Sequence, residues 1–204
     1  MGRSVKVIAI CGSLREKSYT RLSLALALQA AKELGANIQL IDLTAFDLKF
    51  CDGSGNESQS EDVIKLRELV NEAQGIILGT PEYHGGYSGV LKNALDLMGF
   101  DEFEGKMMGL VGVSAGSQGA GEAINSLRTV GRALHAWVVP EQVSIPYVYK
   151  VFDADGKCMD DNVKKRLISL GQQVARFSLL HSSSDAMNFI KAWEEAPNNP
   201  GAKY

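Results

Sequence analysis

Cysteine is scarce in this chain of 204 residues: Cys11, Cys51 and Cys158 are odd in number and lack C-x-x-C spacing. That excludes a disulfide framework, gives no zinc site and fits a reducing compartment. No apolar run approaches the ~20 residues of a membrane helix. The opening M-G-R-S-V-K-V-I-A-I runs into a strand-like segment without a small-residue cleavage site. A cytoplasmic protein with no membrane contact is expected. Neither charge sign dominates: 21 Lys and Arg against 24 Asp and Glu leave a net charge of -3. There is thus no basic footprint for nucleic acid. His84, His135 and His181 are too scattered for a metal cluster, and there is no internal repeat or low-complexity tract.

What is present is an ordinary globular composition, 45% hydrophobic and 22% charged, long enough to bury a core without staples. One domain over residues 1–195 is expected, with Ala196 to Tyr204 a frayed tail. Five short apolar runs read as strands: Val5 to Ile10, Ile38 to Ile41, Ile76 to Leu78, Met107 to Val113 and Trp137 to Val139. They are nearly continuous rather than alternating, as in a parallel sheet covered on both faces. Helical stretches lie between and after them, over Tyr19 to Leu34, Glu61 to Ala73, Ser88 to Met98, Gly121 to Leu134 and Asp160 to Leu180. The alternation predicts an open, doubly wound α/β sheet that binds its ligand at the carboxyl ends of the strands. Thr44 to Ser60 reads as a polar surface excursion, either a mobile loop or a partner contact. Ile145 to Gly156 reads as a small hairpin turning at Asp155-Gly156. The two tryptophans, Trp137 and Trp193, suggest core or interface.

Three strand-to-helix loops carry the chemistry. The first, Cys11 to Thr20, reads C-G-S-L-R-E-K-S-Y-T. A helix N-terminus offers unpaired N–H groups, Ser13, Ser18 and Thr20 add hydroxyls, and Arg15 adds a charge, which together suit a phosphate monoester. Gly12 is the loop's only glycine, so both G-x-G-x-x-G and the P-loop pattern are missing. The plainer alternative is that Ser18 only caps the helix and Arg15 is solvated. In the second loop, P-E-Y-H-G-G, Pro81 to Gly86 can present backbone groups to the edge of a ring, with Tyr83 or His84 against it; a simple turn would use the same letters. The third, V-S-A-G-S-Q-G-A-G, places Ser114, Ala115 and Gly116 where a planar ligand could approach the backbone; here too a plain glycine-rich turn is the alternative. Together the loops suggest a bound nucleotide with a flat ring. Cys11 reads as a packed small residue beside the first of them.

The combination G-S-L-R-x-x-S, P-E-Y-H-G-x-x-S-G-x-L-K-N-A-L-D and S-A-G-S-Q-G, in this order between Gly12 and Gly119, resembles the NADPH-dependent FMN reductase family of flavodoxin-like proteins, which includes quinone, azo-dye and chromate reductases. The resemblance implies a flavodoxin-like, doubly wound five-stranded parallel sheet in the order 2-1-3-4-5, with helices on both faces. It implies a non-covalent FMN, with Ser13, Arg15, Ser18 and Thr20 around the phosphate. Pro81, Glu82, Tyr83 and His84 would lie along the isoalloxazine, with Ser114, Ala115 and Gly116 at its other side. At two of these positions the family often differs, having asparagine where His84 stands and glycine where Ala115 stands. NAD(P)H would deliver hydride to the flavin and be replaced by a quinone, free flavin, azo dye or metal oxyanion, a ping-pong cycle of an oxidoreductase that needs no catalytic side chain. Arg15 and Lys17 are candidates for the 2'-phosphate of NADPH, the favoured donor. A homodimer or homotetramer is implied, and the apolar helix after the second loop is a plausible contact. The alternatives are a flavodoxin-type electron carrier, against which the mild net charge argues, and a flavin-binding interaction module.

Overall fold

The structure is a computed structural model and describes residues 4–55 and 60–196. Five parallel strands form the sheet: β1 (Lys6–Cys11), β2 (Asn37–Asp42), β3 (Gly75–Tyr83), β5 (Met107–Val113) and β6 (Trp137–Ile145). A two-residue strand, β4 (Gly86–Tyr87), pairs antiparallel with the end of β3. The order is β2-β1-β3-β5-β6, which is the expected 2-1-3-4-5 when the parallel strands alone are numbered. The helices are α1 (Tyr19–Glu33), α2 (Glu61–Asn71), α3 (Gly89–Asp96), α4 (Phe100–Phe103), α5 (Gly121–Ala133), α6 (Asp161–Ser182) and α7 (Ser184–Glu194).

The unbroken apolar strands have a direct cause. Successive side chains of a strand point to opposite faces, and both faces are covered. Val7 and Ala9 of β1 join Leu24, Ala27, Leu170 and Val174 from α1 and α6. Ile8 and Ile10 join Leu66, Val70, Leu91 and Ile124 from α2, α3 and α5. On the first face α1 and α6 press together so closely that a Cβ on Gly171 would lie 1.9 Å from the Ala27 carbonyl oxygen. Only glycine fits that crossing.

Several boundaries differ from expectation. β3 continues beyond Leu78 to Tyr83, so the first half of the second loop is strand. β6 likewise runs on to Ile145, with a register irregularity between Met108 and Leu110 of its neighbour. Residues 44–55 of the polar excursion are anchored: Cys51 N–H donates to Asn93 Oδ1 at 2.8 Å, and Asn93 Nδ2 donates to the Lys49 carbonyl at 3.0 Å. The rest of that excursion, 56–59, and the tail from 197 lie outside the described residues. The expected hairpin is reduced to one antiparallel bridge between Phe152 and Cys158, because Val148–Lys150 winds into a 3-10 turn instead. Trp137 and Trp193 are exposed, at 62% and 56%. Among the described residues no helix is long and apolar enough to cross a membrane.

Candidate functional site

The carboxyl ends of β1, β3 and β5 open on one crevice of about 390 Å³, within the range of small-ligand sites. From the first loop it takes Ser13, Arg15, Lys17, Ser18, Tyr19 and Thr20; from the second, Pro81, Glu82 and Tyr83; from the third, Val113, Ser114, Ala115 and Gly116. Every residue expected at the site is therefore brought together except His84.

The first loop is held from beneath. Gly12 N–H donates to the Gly79 carbonyl at 2.8 Å. The Ser88 hydroxyl, 2% exposed, donates to the Gly12 carbonyl at 2.6 Å and accepts from Leu91 N–H at 3.2 Å, so one side chain both caps α3 and ties it to the loop. A Cβ on Gly12 would meet Leu91 Cβ at 2.7 Å. Arg21 braces the loop from the side: its guanidinium donates to the carbonyls of Arg15 and Glu16 at 3.2 and 3.0 Å, and to Asp42 at 2.5 Å. Burial works to raise the Asp42 carboxyl, but the Arg21 and Thr44 hydrogen bonds and the Arg21 charge outweigh it and hold it below the usual carboxylate range. Cys11 is fully buried, its Sγ 4.0 Å from Ser18 Oγ. Burial pushes its thiol up, which suits a packed residue rather than a nucleophile.

The donor set fits a phosphate. Ser18 caps α1 by accepting from Arg21 N–H at 3.2 Å, so that part of the plainer reading holds, yet Ser18 also lines the crevice. Thr20 is 1% exposed, lines the crevice and makes no side-chain hydrogen bond within the described protein. Arg15 and Lys17 have no carboxylate partner among the described residues. The first turns of α1 and α3 carry no acidic residue, whereas those of α2, α5, α6 and α7 each do. Acidic side chains would fill the positive end of the dipole that an anion uses.

The ring end is built from backbone and small side chains. Glu82 lines the crevice while its Oε2 accepts from Ala123 N–H at 3.1 Å, so the carboxylate is engaged at the start of α5. Thr80 Oγ1 accepts from Ser88 N–H at 2.9 Å, which joins β3 to the cap of α3. The Ser114 hydroxyl accepts from Gly116 N–H at 3.0 Å, and Ser144 Oγ accepts from Ala120 N–H at 2.8 Å, so the third loop is folded on itself and on β6. His84 and Gly85 both have positive φ, 51° and 76°. They are the two central residues of the tight turn between paired Tyr83 and Gly86, and His84 serves that turn rather than the crevice wall. Arg21, Asp42 and Ser88 were missed by sequence reasoning because a brace has no motif; a serine directly before a helical run was the available signal for Ser88.

Fold and crevice together define a doubly wound α/β protein whose crevice fits a flat-ringed nucleotide with a terminal phosphate. The family model for NADPH-dependent FMN reductase matches residues 5–150, and the chain belongs to that family. Its cofactor is accordingly FMN, its electron donor NAD(P)H, and it is an oxidoreductase. The NADPH-dependent FMN reductase ArsH of Shigella flexneri is 30% identical over 184 residues, covering 86% of this chain and 69% of the relative. The FMN-dependent NADPH-azoreductase of Staphylococcus saprophyticus is 33% identical over 161 residues, covering 77% and 82%. Among solved structures, an NADH:FMN oxidoreductase in its apo form superposes with a TM-score of 0.74 at 20% identity, over 90% of this chain and 94% of that one. That likeness concerns the fold alone.

Proposed function

We propose that the chain reduces a quinone or another small oxidant with electrons from NAD(P)H, using FMN seated in the crevice between the first, second and third loops. The observation that carries this reading is the convergence of a hydroxyl-rich, acid-free helix start with two small-residue strand ends around one cavity. When bound, FMN supplies hydride acceptance from NAD(P)H and two-electron delivery to the oxidant, in ping-pong order. The protein's part is placement. Ser13, Arg15, Ser18 and Thr20 take the phosphate. Pro81, Glu82 and Tyr83 form one wall at the ring, and Ser114, Ala115 and Gly116 form the other. No side chain is assigned as acid or base. Arg15 and Lys17, which have no carboxylate partner among the described residues, favour NADPH as donor.

The same proposal includes one domain over residues 1–195, a cytoplasmic setting consistent with three free cysteines, and a homodimer or homotetramer. The structure shifts the argument for assembly. Leu91, Ala94, Leu95, Leu97 and Met98 are all buried within the single chain. The remaining apolar surface beside α3 is a groove lined by Leu14, Phe46, Leu48, Phe50 and Val90. Light scattering on the purified protein measures the state directly.

The decisive experiment is a visible spectrum followed by anaerobic titration with NADPH and with NADH, then steady-state turnover with a quinone. A flavin band bleached by NADPH and repeated turnover are expected. A flavoprotein without turnover would instead be a carrier or an interaction module, and a chain that binds no FMN would sink the proposal.

A further inference from the structure

The crevice has a fourth wall that none of the three loops supplies. Val148 and Tyr149, from the turn after β6, line it alongside the phosphate and ring loops. We propose that the aromatic ring of Tyr149 packs against the bound flavin nucleotide and that the turn from Pro146 to Lys150 exists to hold it there. This rests on the reading that the crevice takes FMN.

The turn is fastened to the third loop from both directions. Ser114 N–H donates to the Ile145 carbonyl at 2.9 Å, Tyr147 N–H to the Gly116 carbonyl at 3.2 Å, and Val148 N–H to the Ser114 carbonyl at 3.0 Å. Tyr147 has φ 44° and ψ 42°, the left-handed conformation that a Cβ disfavours. A bulky residue persists there only where its surroundings impose it, and such strain collects at ligand sites. Its effect is to reverse the chain so that Val148 is buried at 5% while Tyr149 stays 50% exposed at the cavity.

The ring is steadied although its face is open. Tyr147 meets it edge-on with centroids 6.4 Å apart, and Lys150 Nζ stands 4.9 Å from the Tyr147 ring and 5.8 Å from the Tyr149 ring. Among the described residues the Tyr149 hydroxyl has no hydrogen-bond partner. An aromatic half in water, braced on one side and facing a cavity on the other, gains from a flat or apolar partner. The turn reaches from the ring loop at Ser114 and Gly116 toward Tyr19 of the phosphate loop, which stacks on Phe152 at 6.0 Å. The turn's backbone anchors are to Ser114 and Gly116 of the ring loop and none is to residues 12–18 of the phosphate loop, so the contact falls on the flavin body rather than on its phosphate.

The test is apoprotein titrated with FMN and with riboflavin, read by flavin fluorescence, beside a thermal melt of each variant. Tyr149→Ala should weaken both ligands by about tenfold, the scale of one aromatic contact, without lowering the melting temperature. Tyr149→Phe should bind within about twofold of the parent. The proposal is overturned if Tyr149→Ala binds both flavins like the parent, if Tyr149→Phe loses as much as alanine, or if only FMN is weakened. A parent chain that binds neither flavin would instead remove the functional reading on which the proposal stands.

Discussion

At the scale of single residues, His84 and Asp42 show side chains placed for the backbone that carries the site. A two-residue hairpin loop with positive φ at both positions is a type I′ turn, in which asparagine before glycine is the preferred pair. Histidine tolerates that conformation less well than asparagine. His84→Asn should stabilise the protein by about 0.5 kcal/mol in urea denaturation and leave FMN affinity unchanged. Asp42 acts one step further from the ligand, orienting the Arg21 guanidinium that holds the Arg15 and Glu16 carbonyls. Asp42→Asn should weaken FMN by about tenfold, the scale of a charge-assisted hydrogen bond, and riboflavin hardly at all, because the brace serves the phosphate loop. The sign of its pH dependence follows from the lowered carboxyl. The folded group titrates below its unfolded value of about 3.9, so its stabilisation is complete above that value and is lost as pH falls toward the folded pKa. The acid limb of a stability profile should flatten in Asp42→Asn.

At the scale of elements, the junction of β1, β3 and α3 decides whether the two ends of the crevice stay in register. Ser88 is the pin: it is the cap of α3, the donor to Gly12, and through its N–H the partner of Thr80. Ser88→Ala leaves a buried carbonyl unpaired and a helix uncapped. It should cost about 2 kcal/mol in chemical denaturation. The positions of the loops that Ser88 joins, each between a strand and a helix, were legible in the letters, although a plain cap or turn would use the same residues. Three things were not. β3 was cut short at Leu78 because Pro81 and the aromatics after it read as loop, whereas Pro81 is still in register with Val113 of β5, and Glu82 and Tyr83 form the strand end that pairs with β4. The wall made by Val148 and Tyr149 was read as hairpin, since alternating aromatics mimic strand periodicity and a left-handed Tyr147 has no sequence signal. α7, with no buried residue among those described, lacked the core-facing regularity by which α1, α2, α3, α5 and α6 were recognised, and α4 is a single turn too short to show one.

For the molecule as a whole, the five-stranded order and the two covering layers were readable because unbroken apolar strands alternating with amphipathic helices admit few other architectures. The closeness of neighbouring helices within one layer was not readable, because it depends on which small residues face one another. Gly171 against the Ala27 carbonyl is the tightest such point. Gly171→Ala should force α1 and α6 apart and destabilise the protein by about 3 kcal/mol, a drop of roughly 6–12 °C in melting temperature for a domain of this size.

The β3–β4 turn has a consequence for the kinetics of proton exchange with solvent. Because Glu82 pairs with Tyr87 and Tyr83 with Gly86 in a hairpin continuous with the central strand, this wall is ordered before any ligand arrives. Ligand entry then demands little new ordering there. In deuterium-exchange measurements the backbone amides of this hairpin should be slow already in the apoprotein and change little on adding FMN, whereas those of residues 13–17, which have no place in the sheet or a helix, should slow markedly.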